Sequence, residues 1–165
     1  MAGQSCGGVE AYAVGGDARV MVIGIFNSGL MTAAESQRTA PTITKPIFYF
    51  LGGSSDIAYA NVCAIHFYYM VSNADADWTW VIQGERDYDL LPASTPSWKG
   101  NLAVGHGGTY RDTDAGKFGV AAVRFFQWTL RGNATAASFF TGQEAQAAGW
   151  QVESKNLGSI KITPL

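Results

Sequence analysis

The sequence predicts an α/β fold with a parallel sheet. Residues 19–26 (RVMVIGIF) and 45–51 (KPIFYFL) are nearly continuous apolar runs, as expected of strands buried on both faces. Helical patterns lie between and after the strand candidates, and such alternation builds parallel sheets.

The elements follow in order. The run at 19–26 is the first strand. Residues 27–44 mix Gly, Ser, Thr and Pro around a helical turn near 31–37. The run at 45–51 is a second strand, rich in aromatics and ended by Gly52 and Gly53, and 101–105 (NLAVG) is a shorter third. Over 115–131, Phe118, Ala122, Phe125 and Thr129 recur at helical spacing with Ala121 and Trp128 beside them, and Gly132 supplies a C-terminal stop. Asn133 can cap a further helix to about Phe140, 141–148 forms another short one, and 150–155 alternates as a terminal strand does. There is no internal repeat and no low-complexity linker.

The chain has 165 residues, 47% hydrophobic and 15% charged, which is one globular domain's worth. Its net charge is −2 and its eleven Lys and Arg are scattered, which excludes the clustered basic face of a nucleic-acid groove. No apolar run spans a bilayer: the longest, 62–71, contains His66 and stops at Ser-Asn-Ala-Asp. The start has neither the basic residues nor the apolar stretch of a signal peptide. Cys6 and Cys63 make neither a disulfide framework nor a metal-ligand spacing, and no phosphate loop or cofactor motif is present, so no cofactor and no metal are expected. Asn133-Ala-Thr is a glycosylation sequon, relevant only in a secreted protein.

Three short segments could carry chemistry. Gly3-Gln4-Ser5-Cys6-Gly7-Gly8 is a G-x-S-x-G sequence with an additional glycine. Such a serine sits on a strained strand-to-helix turn that exposes its hydroxyl, and the glycines let neighbouring backbone approach. The next amide, that of Cys6, would donate to a developing oxyanion, and 9–14 would begin the following helix. Gly52-Gly-Ser-Ser-Asp56 and Gly105-His106-Gly-Gly each follow a strand candidate. The order Ser, Asp, His is that of α/β-hydrolases, and loops at the C-terminal ends of parallel strands are where sites form.

Other roles compete at each position. His106 could cap a strand end, and Asp56 could N-cap a segment from Ile57. Asp87 and Asp89 follow no strand, while Asp112 and Asp114 lie in the loop after His106. His66, amid Ile65, Phe67 and Tyr68, reads as a packed histidine. Cys6 is not the nucleophile, because the middle of the elbow is Ser5. Trp98 and Tyr110 flank the histidine strand, as pocket walls or as core.

GQSCGG resembles the elbow of the G-H-S-M-G-G type, KPIFYFLGGSSDIAY a strand with its acid loop, and NLAVGHGGTY a strand with its histidine loop. Over nearly everything from Ser5 to Leu157, apart from one insertion, the chain resembles α/β-hydrolases, in particular a group of α/β-hydrolase-like proteins, many of them secreted and fungal. The resemblance implies a serine hydrolase of esterase type acting on a small ester-like substrate, an activity of the full-length parent to which this chain supplies the triad. It makes Ser5 the nucleophile, His106 the general base, Asp56 the orienting acid and the Cys6 amide half of the oxyanion hole. The fold it implies is an incomplete three-layer α/β-hydrolase domain over 1–165, holding the last parallel strands and their helices. On that expectation the strand before Ser5 and the second oxyanion loop are missing, and the uncovered sheet favours self-association. The alternative is a catalytically inactive, truncated hydrolase-fold protein acting as a binding or interaction module or without a role of its own.

One stretch does not belong to the resemblance. Residues 62–83 (VCAIHFYYMVSNADADWTWVIQ) interrupt what would run from Asn61 directly into Gly84-Glu85-Arg86-Asp87-Tyr88. Val-Cys is encoded by GTNTGY, which fits a GTATGT splice donor, and Gln can be CAG, an acceptor. The stretch therefore reads as a translated, unspliced intron, with a genuine lid insertion as the alternative.

Overall fold

The computed structural model describes residues 1–59 and 83–161. They form an α/β fold around a five-stranded sheet of order β1-β2-β3-β4-β5: β1 Ala2–Gln4, β2 Ile23–Phe26, β3 Ile47–Leu51, β4 Ser97–Asn101 and β5 Gln151–Lys155. Strands β1 to β4 are parallel neighbours in chain order, and β5 pairs antiparallel with β4. The expected terminal strand is thus β5. The register aligns Gln4 with Phe26, Phe26 with Phe50, and Leu51 with Asn101, so four successive strands end together.

Every residue of β2 and β3 is buried. Side chains alternate across a strand, so neighbouring residues enter different cores. Phe26, Phe48, Phe50 and Trp98 join an aromatic cluster on one face, whereas Ile23, Ile25, Ile47, Tyr49 and Leu51 join an aliphatic and tyrosine cluster on the other. Helices α1 (Cys6–Val14) and α3 (Gln83–Leu90) bring Ala11, Tyr12 and Tyr88 to the second cluster. Between them in the chain, α2 (Ala33–Thr39) opens with a capping box in which Thr32 Oγ1 accepts from the Glu35 N–H and the Glu35 carboxylate from the Thr32 N–H, each 3.1 Å.

On the aromatic face lie α4 (Gly116–Arg131), α5 (Ala134–Thr141) and the short α6 (Glu144–Ala147). They contribute Phe118, Phe125, Trp128, Phe139, Phe140 and Ala145. Phe48 meets Trp128 and Phe140 edge-on, at ring-centroid distances of 5.5 and 5.3 Å. Gly132 ends α4 in the left-handed region at φ 63°, its N–H reaching the Gln127 and Trp128 carbonyls, and Asn133 caps α5 by accepting from the Ala136 N–H. Among the described residues no helix is long and apolar enough to cross a membrane.

Two expectations are corrected. A strand does precede Ser5: β1 pairs with β2 through Ala2, Gly3 and Gln4. A ladder is made by backbone groups, so three small or polar residues suffice, and no apolar run announces them. The third strand is 97–101 rather than 101–105. Its central Lys99 is buried in ion pairs with Glu85 and with Glu153, the latter at 2.7 Å, and an added Cβ at Gly100 would collide with the Trp98 ring. A paired lysine and a packing glycine hide this strand from an apolar pattern. Of the stretch at 62–83, only Gln83 is described: it opens α3 and is buried. The remainder, with His66 and Cys63, lies outside the described residues.

Candidate active site

Because β1 to β4 run parallel, the residues after them share one edge of the sheet. Ser5 follows β1, Asn27 follows β2, the segment 52–56 follows β3 and 102–106 follows β4. The ladder hydrogen bonds continue into these turns. The Ser5 N–H donates to the Phe26 carbonyl at 3.0 Å, that of Asn27 to Phe50 at 2.8 Å and that of Leu102 to Leu51 at 2.9 Å.

Ser5 sits between β1 and α1 with φ 61° and ψ −128°, a conformation that an L-residue adopts only under constraint. The constraint is visible around it. The Ser5 carbonyl accepts from the Gly8 N–H at 2.9 Å and from the Ser28 hydroxyl at 2.7 Å. A Cβ on Gly3 would collide with the Gly7 carbonyl, and one on Gly8 with the Ser28 side chain. Close packing of the turn therefore requires glycine at positions 3 and 8, whereas a Cβ on Gly7 would meet nothing within 4 Å. Cys6 opens α1, at the helix end that carries partial positive charge. Cys6 is disulfide-bonded, which corrects the reading that gave the cysteines no pairing; the chain's other cysteine, Cys63, lies outside the described residues.

Asp56 lies in the 3₁₀ turn Gly53–Tyr59 and is buried. Its Oδ2 accepts from the Gly52 N–H at 3.0 Å and from the Asn27 side-chain amide at 3.1 Å. Its Oδ1 stands 3.1 Å from His106 Nδ1. The acid and histidine loops are locked together by backbone as well: the Val104 and Gly105 N–H groups both reach the Gly52 carbonyl, at 3.1 and 2.9 Å. No Cβ fits at Gly52, where the Gly105 carbonyl lies against it, and Gly105 turns the chain into His106 at φ 75°.

Burial lowers the pKa of His106 below its ordinary value, with the Asp56 charge and hydrogen bond opposing that shift. The imidazole is accordingly neutral at neutral pH. The same surroundings raise the pKa of Tyr110, through burial and then the Asp56 charge. The Gln4 side-chain amide reaches the His106 carbonyl at 3.4 Å, a link from β1 to the histidine loop.

The structure thus joins Asp56 directly to His106 and sets Ser5 at the same edge. Among the described residues, no hydrogen bond joins the Ser5 hydroxyl to the His106 ring. The rival acids go elsewhere. Asp87, fully buried, accepts from the Leu30 N–H at 2.7 Å, the Tyr12 hydroxyl at 2.9 Å and the Ser36 hydroxyl, all within the other core, while Asp89, Asp112 and Asp114 are exposed. Trp98 is core, and Tyr110 donates to Asn27 Oδ1 at 2.9 Å. Asn27 was not singled out from the sequence, although the polar Asn-Ser-Gly directly after a buried apolar run is the signal that marks it.

A cavity of about 290 Å³ adjoins the acid and histidine loops, lined by Gly53, Ser54, Ala103, Glu85, Asn101 and Gln151 among others. Ser5, Asp56 and His106 are not in its lining. Among the described residues, no group of three or more His, Cys, Asp or Glu side chains is placed to hold a metal. No protein-family model matches the chain, nor does any curated protein.

Proposed function

We propose that the chain is a serine hydrolase of esterase type, with Ser5 as nucleophile, His106 as general base and Asp56 as the acid that orients the imidazole. The observation that carries this reading is the strained Ser5 turn at the sheet edge that also bears the His106–Asp56 pair. A serine forced to φ 61° by three surrounding contacts is an arrangement that an ordinary glycine turn does not need.

In the proposed reaction His106 Nε2 takes the Ser5 hydroxyl proton as Oγ bonds to the ester carbonyl carbon. Asp56 holds the opposite ring nitrogen and stabilises the imidazolium. The Cys6 amide donates to the carbonyl oxygen as it becomes an oxyanion. The ester C–O bond then breaks, the alkoxide leaves with the proton from His106, and water hydrolyses the acyl-enzyme by the same base. Catalytic hydrogen bonds often tighten only when substrate is bound, so a missing Ser5–His106 bond is compatible with this sequence of steps. That same missing bond is the observation favouring the second reading, a non-catalytic binding module of the same fold.

A fluorophosphonate probe decides between them. Labelling of the wild type that disappears in Ser5→Ala supports the hydrolase; a folded wild-type sample that stays unlabelled sinks it.

A further inference from the structure

We infer that Asn27 is a positioning residue for the Asp56–His106 pair, and that the Tyr110 hydroxyl fixes which way its side-chain amide faces. For its effect on rate the inference rests on the hydrolase reading. Asn27 is fully buried and immediately follows β2. Its Nδ2 lies 3.1 Å from Asp56 Oδ2 and 3.3 Å from the Gly105 carbonyl, and its Oδ1 lies 2.9 Å from the Tyr110 hydroxyl. An ionised carboxylate and a carbonyl only accept hydrogen bonds, whereas a phenol can donate one. Only one orientation of the amide satisfies all three. The opposite one would set its oxygen against two others and leave its NH2 facing the Tyr110 hydroxyl.

One NH2 group thereby bridges the acid loop and the residue immediately before His106. With Gly52 N–H and Asn27 Nδ2 both on Oδ2, the carboxylate is held with Oδ1 toward the imidazole. Asn27 also has φ 44°, in the left-handed region where Asn and Asp are the most tolerated residues after glycine. Aspartate is therefore the informative substitution: it keeps the shape and the backbone preference while replacing the donor with an acceptor.

The experiment follows the imidazole of His106 by NMR titration in the full chain, with His66→Gln so that one histidine remains. Among the described residues, the titratable groups facing the ring in this cluster are Asp56 and, through Asn27, Tyr110. In Asn27→Asp a second carboxylate beside the pair should raise the His106 midpoint by about one pH unit and slow probe labelling of Ser5 about tenfold. Tyr110→Phe removes only a hydroxyl from a half-exposed ring. It should lower the midpoint, because a freed amide holds Asp56 less firmly, and slow labelling severalfold.

The charge added in Asn27→Asp acts on the ring whatever Asn27 does, so the uncharged variant discriminates: a Tyr110→Phe midpoint equal to that of the wild type, with only the melting temperature changed, overturns the inference. Should Asn27→Asp fail to fold, the Tyr110→Phe midpoint decides alone. A wild type that resists the probe while the midpoints move sinks the hydrolase reading and leaves the positioning role supported. A labelled wild type with unmoved midpoints does the reverse.

Discussion

The Ser28 hydroxyl donates to the Ser5 carbonyl oxygen across 2.7 Å, tying the turn after β1 to the turn after β2. Ser28 is buried, and its side chain is also what leaves no room for a Cβ on Gly8. Ser28→Ala keeps that packing and removes only the donor. The Ser5 carbonyl retains the Gly8 N–H, so the expected loss is about 0.5–1.5 kcal/mol, read from the urea midpoint. Labelling at Ser5 should slow as the turn loosens.

The strain at Ser5 has its own signature. A non-glycine residue held at φ 61°, ψ −128° costs about 1–3 kcal/mol, which glycine at the same position avoids. Ser5→Gly should therefore melt higher than Ser5→Ala, by about 2–4 °C for each kcal/mol regained in a chain of this length. Equal melting temperatures would show that the turn relaxes without cost.

On the hydrolase reading, reaction with an acylating probe requires neutral His106. Since burial lowers its pKa, the labelling rate should rise through a midpoint below the ordinary 6.5 and be flat above it. For stability the sign is the same: the folded state binds this proton less tightly than the unfolded chain. Folding therefore weakens as pH falls through 6.5 toward the lower folded value, and His106→Gln should reduce that loss in denaturant titrations across the window. Asp56→Asn removes the opposing charge and the partner that sets the ring's tautomer. It should cut labelling about a thousandfold or more.

Asp87 tests the other core. Asp87→Ala leaves the Leu30 N–H and the Tyr12 and Ser36 hydroxyls without their buried acceptor, and should cost about 3 kcal/mol or more. Asp87→Asn keeps an oxygen for Leu30 and Tyr12 and can donate to Ser36, so its loss should be much smaller. Chemical denaturation of the two variants side by side measures the difference. Similar, small losses would show that water replaces the carboxylate.

Strands announced by continuous apolar residues were legible: Ile47–Leu51 is buried on both faces, and the sequence says so in five consecutive letters. Helix α4 was legible for the same reason, its buried Phe118, Phe125 and Trp128 recurring at helical spacing. β1 was not, because its pairing is made by backbone alone, nor was β4, whose Lys99 is buried by two glutamates that lie far off in the chain. The candidate site follows the same division. Ser5, Asp56 and His106 stand in short glycine-rich segments that mark turns. Asn27 acts through contacts with residues 29, 78 and 83 positions away, and no local pattern encodes them.

The segregation of rings between the two faces of the sheet makes the layers optically distinct. Trp98, Trp128 and Trp150 all belong to one cluster, while Tyr12, Tyr49 and Tyr88 belong to the other. With Trp78 and Trp80 replaced by Phe, indole emission should report the α4–α5 side of the molecule. With Tyr59, Tyr68, Tyr69 and Tyr110 also replaced by Phe, the near-ultraviolet tyrosine signal would report the α1–α3 side. A denaturant titration followed at both wavelengths would then show directly whether the two layers come apart together or one after the other.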